Sequence, residues 1–308
     1  MSVGVVVNPA AGGGRLSAAW PQLAAMLEQR LGPLNVLSTT APGEGRDLAA
    51  RHVRNGARLV IAAGGDGTAN EVVDGLLLAG GGPELGVISV GTGRDFIRTL
   101  GGHGDLSAAV EAIGSGRTRR IDAGKVTFTA DDGQTGSRHF LNVASLGVSG
   151  PTVGAVNASK QGRQVHGKLA FYYHTVVELL RYRPQDVRVR FDDGETVDVR
   201  TALVVAANGR FFGSGMMIAP DAAIDDGLFD VLVYRAEGKL RMILDFNLIY
   251  RGDHVSLPRV RLKRCRWIEI EPAGGKTENA AILEVDGESP GRIPARIEVL
   301  PGALTLRA

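Results

Sequence analysis

The sequence predicts an α/β amino-terminal domain on a mainly parallel sheet with helices on both faces, followed by a β-sandwich-like second domain. Three observations carry this. Short β-branched runs alternate with helical patterns over residues 1–121, a strand-rich rhythm broken by two helices fills 122–299, and glycine turns stand at strand ends. At 308 residues the chain is long for one core. Residues 300–308 are a candidate completion of the first domain.

Val3 to Val7 is an apolar run stopped by Asn8-Pro9, which reads as a buried strand. Apolar residues at helical spacing run from Leu16 to Leu31, with Pro21 near the start, where proline is tolerated. Asn35 to Ser38 is the second strand and Gly45 to Arg54 the next helix. Arg58 to Ala63 is a third strand that enters Gly64-Gly65-Asp66-Gly67-Thr68 directly, Asn70 to Leu78 is helical, and Leu85 to Val90 enters Gly91-Thr92-Gly93. Beyond Ile121, strands are expected at Ala123 to Thr129, His139 to Val143, Val187 to Phe191, Val197 to Ala207, Leu228 to Tyr234, Val260 to Ile270 and Arg296 to Val299. Helices are expected at Lys168 to Leu180 and Lys239 to Tyr250.

Composition narrows the function classes. Hydrophobic residues at 44% and charged residues at 22% are ordinary for a globular protein and exclude a disordered chain. A net charge of +2 gives no electrostatic footprint for nucleic acid, so no nucleic-acid partner is expected. The single cysteine, Cys265, excludes an internal disulfide and fits a reducing compartment. The first residues lack the charged region of a signal peptide, and no stretch reaches the ~18 uninterrupted apolar residues of a membrane span.

The strongest local signal is Gly64-Gly65-Asp66-Gly67-Thr68-Ala69-Asn70-Glu71, between a buried strand and a helix. Glycines let backbone approach a polyphosphate, and successive N–H groups at a helix start attract its charge. Phosphate repels Asp66, which points to metal coordination, proton handling or orientation of the loop. The plainer alternative is a tight turn with Asp66 capping its helix. The Gly-Lys-Ser/Thr ending of a P-loop is missing, as is Gly-x-Gly-x-x-Gly. Three further strand ends carry small residues, hydroxyls or a cation: Asn8 to Arg15, Thr39-Thr40, and Gly91 to Phe96.

Two carboxylate clusters follow. Asp225-Asp226-Gly227 is either an ordinary acidic turn or a hard-cation site completed by main-chain carbonyls. Glu284-Val285-Asp286-Gly287-Glu288 is the other carboxylate cluster, for which a solvated turn is the plain reading. The basic run Arg259 to Trp267 reads as a solvated sheet face or as a contact for an anionic membrane with Trp267 as anchor.

Asn8-Pro9-x-x-Gly12, Gly64-Gly65-Asp66-Gly67-Thr68-x-Asn70-Glu71 and Gly91-Thr92-x-x-Asp95-Phe96 together resemble the diacylglycerol kinase catalytic-domain family, which includes bacterial lipid kinases and the sphingosine and ceramide kinases. The resemblance continues through Pro220 to Asp230 and ends at Asp286-Gly287-Glu288, so it spans nearly the whole chain in the family's order. It implies the fold of NAD kinases and diacylglycerol kinases, and an ATP-dependent kinase acting on a hydroxyl of a lipid such as diacylglycerol or a sphingoid-type alcohol. An NAD kinase or another soluble-substrate kinase shares the glycine loop and is the alternative enzyme. A catalytically silent lipid- or nucleotide-binding regulator is the non-enzyme alternative.

Carried over residue by residue, the resemblance implies that ATP contacts Asn8, Thr39, Gly64, Gly65, Asp66, Gly67, Thr68, Ala69, Asn70 and Thr92. Arg94 stands where the family has asparagine. The resemblance further implies a structural Mg2+ on Asp226 with the carbonyls of Ala223 and Leu228, and Glu288 as proton acceptor with Asp66 organising metal or phosphate. In sphingosine kinase-like members the position of Asp66 takes the base role. The expected partners are a lipid substrate and, transiently, an anionic membrane surface. A homodimer is compatible with the sequence, and the expected location is cytoplasmic, peripheral to the membrane.

Overall fold

Four valines around one glycine, Val3–Val7, form β1, buried along its whole length. The computed structural model describes residues 2–91, 93–102, 105–161, 168–275 and 280–308. The chain divides into two compact units, Met1–Ala123 with Pro301–Ala308, and Gly124–Leu300.

In the first unit β1 is followed by α1 (Arg15–Leu31), β2 (Leu34–Ser38), α2 (Glu44–Arg54), β3 (Leu59–Gly64), α3 (Asp66–Leu78), β4 (Glu84–Ser89), α4 (Asp95–Thr99) and α5 (Leu106–Ser115). The strand order is β2-β1-β3-β4, with Thr305 and Leu306 of the tail beside β4, and every pair is parallel. Successive residues of a strand face opposite sides. Val3, Val5 and Val7 accordingly join Leu16, Leu23 and Leu27 of α1 and Val110 and Ile113 of α5 in one core cluster. On the other face Gly4 lies under the ring of His52 from α2, where a Cβ would stand 2.5 Å from the imidazole. Helices therefore cover both faces, as the sequence predicts.

The second unit contains the second half of β5 (Thr118–Thr129), then β6 (Thr135–Phe140), β7 (Val143–Gly147), α6 (Ser149–Gln161), α7 (Lys168–Arg181), β8 (Gln185–Phe191) and β9 (Thr196–Ala207). The short strands β10 (Phe211–Phe212) and β11 (Met216–Met217) lead to β12 (Phe229–Arg235), α8 (Lys239–Ile249), β13 (Val260–Cys265), β14 (Trp267–Pro272), β15 (Leu283–Val285) and β16 (Arg292–Arg307). β9 holds the unit together. Its first half pairs with β8, and its second half lies between β7 and β12, all antiparallel. Val204 and Ala206 of β9 enter a core with Phe140, Phe191, Phe229 and Ile268, while Leu203 and Val205 face Leu179 of α7 and Met242 and Phe246 of α8. Among the described residues no helix is long and apolar enough to cross a membrane.

Two expected strands are each two strands. The stretch His139 to Val143 is cut at Leu141 and Asn142, whose N–H groups go to the Asp286 carboxylate instead of a ladder (2.8 and 3.2 Å). Val260 to Ile270 is cut at Arg266, whose N–H goes to Asp192 (2.8 Å). Helices α5 and α6 carry no clear signal in the sequence beyond Asp105, whose carboxylate accepts from the N–H groups of Ser107 and Ala108 at the start of α5 (2.8 and 3.3 Å). The basic run faces acids of its own unit. Lys263 pairs with Asp193 and Glu195, Arg261 with Glu195, and Arg264 with Asp226. Trp267 lies between the guanidinium groups of Arg190 and Arg296, at 5.6 and 4.2 Å from its ring. Charge compensation here makes this run a sheet face rather than an open basic patch.

α2 and α3 approach so closely that a Cβ on Gly75 would collide with the carbonyl oxygen of Arg46. Gly75→Ala gains about 1 kcal/mol of helix propensity, but overpacking of a buried contact costs about 1–3 kcal/mol and backbone cannot yield like a side-chain tip. The expected outcome is a net loss of stability of up to about 2 kcal/mol, measured as a lower urea midpoint at unchanged slope.

Candidate active site

In the first unit the loops that follow β1, β3 and β4, three neighbouring parallel strands, come together at the carboxyl ends of those strands. Gly65 and Gly91 are in backbone contact, since a Cβ on Gly91 would lie 3.2 Å from the Cα of Gly65. Gly12 has φ 64° and sits against the Val90 carbonyl, 2.8 Å from where its Cβ would stand. Arg15 donates to the carbonyls of Gly12 (2.9 Å) and Val90 (3.3 Å), tying the first loop to the third. Asn8 donates through Nδ2 to Thr68 Oγ1 (3.2 Å), and its Oδ1 accepts from the N–H of Ala10 (3.1 Å). A Cβ on Gly64 would collide with the Thr68 side chain. Glycine is thus required at this strand end by packing as well as by any ligand.

Asp66 does not cap its own helix. The residue preceding α3, Gly65, provides no side-chain cap, and the Asp66 carboxylate instead accepts from the backbone N–H groups of Asp95, Arg94 and Phe96 at the start of α4. Burial pushes its carboxyl above the usual aspartate range, against the pull of those three amides and of Arg98. Glu71 serves α2 in the same way, accepting from Gly43 N–H (3.0 Å) and Gly45 N–H (2.8 Å). This role of Glu71 escaped the sequence. The available signal was that α2 and α4 begin after Gly43 and Arg94, neither of which supplies a side-chain cap.

With Asp66 turned toward α4, the first amides of α3 have no carbonyl partner within their helix, and they carry the positive end of its dipole. Gly67 is exposed there, and Thr68, Ala69 and Asn70 are buried. The Oδ1 of Asn70 and the Oγ of Ser89 are buried without a protein hydrogen bond, so both can serve a polar ligand. Thr39 is half-buried at the end of β2, its N–H bonded to Val7 O (2.8 Å). Arg94 adopts φ 55° and donates to Gly91 O (3.0 Å), and Arg98 donates to Gly93 O (2.9 Å). Thr92 lies outside the described residues. Asn8, Gly64, Gly65, Asp66 and Thr68 are thereby gathered into one polar, glycine-lined surface around a helix start, an arrangement suited to a polyphosphate.

In the second unit Asp286-Gly287 is a two-residue hairpin turn with φ 44° and 90°, closed by paired Val285 and Glu288. Both central residues have positive φ, which is why Asp-Gly suits the turn. The Asp286 carboxylate accepts from the N–H groups of Leu141, Asn142 and Val143. Buried Glu284 accepts from Gly287 N–H (2.7 Å) and from the Ser145 hydroxyl. Asn157 of α6 donates to Gly287 O (3.1 Å). Asp286 and Glu284 therefore fix the turn, and Glu288 is the exposed carboxylate of the three.

The Asp225-Asp226-Gly227 turn lies in an acidic setting. Asp226 Oδ1 accepts from Leu228 N–H (3.0 Å) and its other oxygen meets Arg264. Burial, with Asp226 and Asp221 nearby, pushes the Asp230 carboxyl up against the pull of Arg264. Hard oxygen donors and surplus negative charge fit a divalent cation of the magnesium class, with the Arg264 guanidinium as competitor.

The same unit holds an apolar cavity of about 50 Å³ among α7, α8, β9 and the β10–β11 turn, lined by Thr175, Leu179, Leu203, Phe212, Met242 and Phe246. Its wall includes a buried polar network. Tyr234 Oη donates to Asp245 (2.5 Å), and Arg259 clamps the same carboxylate with two N–H groups. Burial alone would raise the Asp245 carboxyl, but the hydrogen bonds from Arg259 and Tyr234 outweigh it and hold it below the usual range.

Comparison with known proteins places this geometry among relatives. The model of the diacylglycerol kinase catalytic domain matches residues 2–126, and that of the YegS C-terminal NAD kinase beta sandwich-like domain matches residues 142–308. A diacylglycerol kinase of Staphylococcus saprophyticus is 28% identical over 290 residues, covering 94% of this chain and 90% of the relative. A Chromohalobacter salexigens protein described as "Probable lipid kinase YegS-like" is 33% identical over 282 residues, covering 89% and 84%. The crystal structure of a diacylglycerol kinase from Bacillus anthracis superposes with a TM-score of 0.78 at 26% identity, covering 99% of this chain and 96% of that one. Yeast NADH kinase, at 11% identity and a TM-score of 0.50 over 99% of this chain and 82% of its own, shares the fold alone.

Asp245→Asn should destabilise the second unit by about 3–5 kcal/mol at neutral pH, because it leaves the Arg259 charge buried without its partner. A carboxyl held low in the folded state stabilises above its unfolded value of about 4, and this contribution is lost as pH falls through the lower folded value. The gap between wild type and Asp245→Asn in urea denaturation should therefore narrow on acidification below about pH 4.

Proposed function

The chain belongs to the diacylglycerol kinase family of lipid kinases, and on that premise we propose that it transfers the γ-phosphoryl group of ATP to a hydroxyl of a lipid, diacylglycerol being the first acceptor to test. The observation that best supports this is the convergence of the three glycine-lined strand-end loops on the free amides of α3. Such a site grips phosphate oxygens by backbone N–H groups and dipole, without a P-loop lysine.

Phosphoryl transfer asks mostly for position and electrostatics. The triphosphate lies over Gly64 to Thr68, with Asn8 holding the Thr68 hydroxyl and Asp66 holding the Gly91–Phe96 turn. Thr39, Ala69, Asn70 and Thr92 complete the nucleotide contacts carried over from the family. The lipid hydroxyl oxygen bonds to the γ-phosphorus as the bond to the β-bridging oxygen breaks. Its proton passes to the Glu288 carboxylate, and ADP leaves. Asp66 acts as a positioning residue, its oxygens already committed to three amides. Mg2+ accompanying the nucleotide would neutralise phosphate charge. A second, structural Mg2+ would be held by Asp226 and the carbonyls of Ala223 and Leu228, where it would order the turn that precedes β12.

The experiment is turnover of purified protein with ATP and Mg2+ against diacylglycerol, a sphingoid base, ceramide, phosphatidylglycerol and NAD. Phosphorylation of NAD alone would overturn the proposal in favour of a soluble-substrate kinase, and ATP binding with no acceptor phosphorylated would favour a regulator. Glu288→Gln should lower kcat by about 10²–10⁴-fold with ATP binding retained, whereas Asp66→Ala should abolish turnover by releasing the 94–96 amides. Near-normal rates in both variants would remove these residues from the site.

Asp226→Ala tests the structural ion by melting temperature. The wild type should gain stability on addition of Mg2+, and the variant should show no such gain. An equal Mg2+ response in both would exclude Asp226 as a ligand.

A further inference from the structure

α7 and α8 pack as an antiparallel pair. At one end the Lys239 ammonium, at the start of α8, donates to the carbonyl of Leu180 near the end of α7. At the other the ring of Tyr172 lies 5.5 Å from that of Phe246, and its hydroxyl donates to Asn247 Oδ1 (3.3 Å). One face of the pair lines the apolar cavity through Thr175, Leu179, Met242 and Phe246. The opposite face is apolar as well. Leu240 is 73% exposed, Tyr173 62%, Leu244 59% and Leu180 50%. Of the eight large apolar side chains exposed among the described residues, five lie on this helix pair, so they form a patch and not a scatter. Leu240 and Leu244 are one turn apart on α8, and Tyr173 and Leu180 two turns apart on α7, which makes one stripe on each helix.

Cations lie on the two helices and just beyond their ends. Arg181, Arg183, Lys239, Arg241 and Arg251 are all exposed. Of the acids on the two helices, Glu178 sits beside Arg181 (3.5 Å) and Asp245 points inward to Arg259. Exposed Glu237 and Asp253 flank α8. A two-fold dimer through this face would bring the four arginines and one lysine of one copy toward those of the other, like charge on like. An anionic bilayer instead offers hydrocarbon to the leucines and tyrosine and headgroup charge to the cations.

We propose, building on the lipid-kinase reading, that the exposed face of α7 and α8 is the surface by which this protein docks on an anionic lipid bilayer. Its four apolar side chains enter the headgroup boundary and its basic rim meets lipid phosphates. The cavity lies beneath the same two helices. At about 50 Å³ it is far below the roughly 300–1,000 Å³ of a ligand site, so an acyl chain enters only when the helices part. Docking places that opening against the membrane from which the lipid comes.

The test is co-sedimentation with phosphatidylcholine vesicles, with and without phosphatidylglycerol, for wild type and Leu240→Glu/Leu244→Glu. Both leucines are surface residues, and melting temperature checks that the fold is kept. Wild type should bind the phosphatidylglycerol vesicles more tightly, and less so with added salt, and the variant should bind at least about tenfold more weakly. Arg241→Gln/Arg251→Gln, which keeps the apolar stripe, should lose the preference for phosphatidylglycerol and its salt dependence. In a parallel arm, the leucine variant should phosphorylate detergent-dispersed short-chain diacylglycerol at the wild-type rate and vesicle-embedded diacylglycerol more slowly. Absence of any lipid turnover would refute the kinase reading and leave the vesicle result readable. Wild-type binding by both variants, or no vesicle binding by wild type, would overturn the docking surface. A wild-type dimer that the leucine variant dissociates would overturn it in favour of an interface between copies.

Discussion

Backbone N–H groups that no helix or strand can satisfy are the constraint on which both units depend, and carboxylates of the sequence motifs satisfy them. Asp66 takes three amides at the start of α4, and Glu71 takes two at the start of α2. Buried amides left without acceptors cost about 1–3 kcal/mol each, so these two acids help hold the loops after β2 and β4, with Glu44 adding its own bonds to the Thr40 and Ala41 N–H groups. Because each cap comes from α3, the loop after β3 becomes the hub that positions its neighbours. The glycines follow from this. Gly45 has room for Glu71 only because it has no Cβ, and Gly91 can meet Gly65 for the same reason.

The second unit uses the same device at Asp286, whose two oxygens gather the amides of Leu141, Asn142 and Val143. Separated by more than 140 residues, these partners tie a hairpin turn to a strand break. The positive φ of Asp286 and Gly287 makes the turn tight, and Glu284 braces it from inside. Asp-Gly-Glu is thus a structural clamp on two residues and a surface carboxylate on the third. A motif of three residues can hold one chemical group in place because the other two are spent on holding it.

Much of the fold was legible in the first unit because its signals are local. Val3–Val7, Leu59–Gly64 and Glu84–Ser89 are short buried runs with glycine or asparagine at or just beyond their ends, and α1 repeats its apolar residues at helical spacing. The second unit was less legible where distant partners decide. Nothing near Leu141 announces that its N–H belongs to Asp286, and nothing near Arg266 announces Asp192. α6 has little amphipathic pattern and begins Ser-Gly-Pro, so its helix was silent. At the site, Gly64 to Asn70 stood out through glycine density, whereas the capping by Glu71 had only the indirect signal of helices that lack their own caps. The basic run left a solvated sheet face and a membrane contact both open because its counter-charges, Asp193 and Glu195, sit on a neighbouring hairpin. Charge seen along a sequence is not charge left at a surface.

The same accounting favours a division of labour between the two acids proposed for the reaction. A general base needs a lone pair free to receive a proton in the transition state. Burial raises the proton affinity of Asp66, which taken alone would suit a base, but three backbone donors already occupy its oxygens. Protonating it would remove the negative charge that those amides of α4 favour and so weaken the turn it holds. Glu288 stands exposed to solvent beyond a turn that Asp286 and Glu284 fix. Chemistry that requires one carboxylate to stay still and another to exchange a proton is served best when the fold gives the first one nothing else to do.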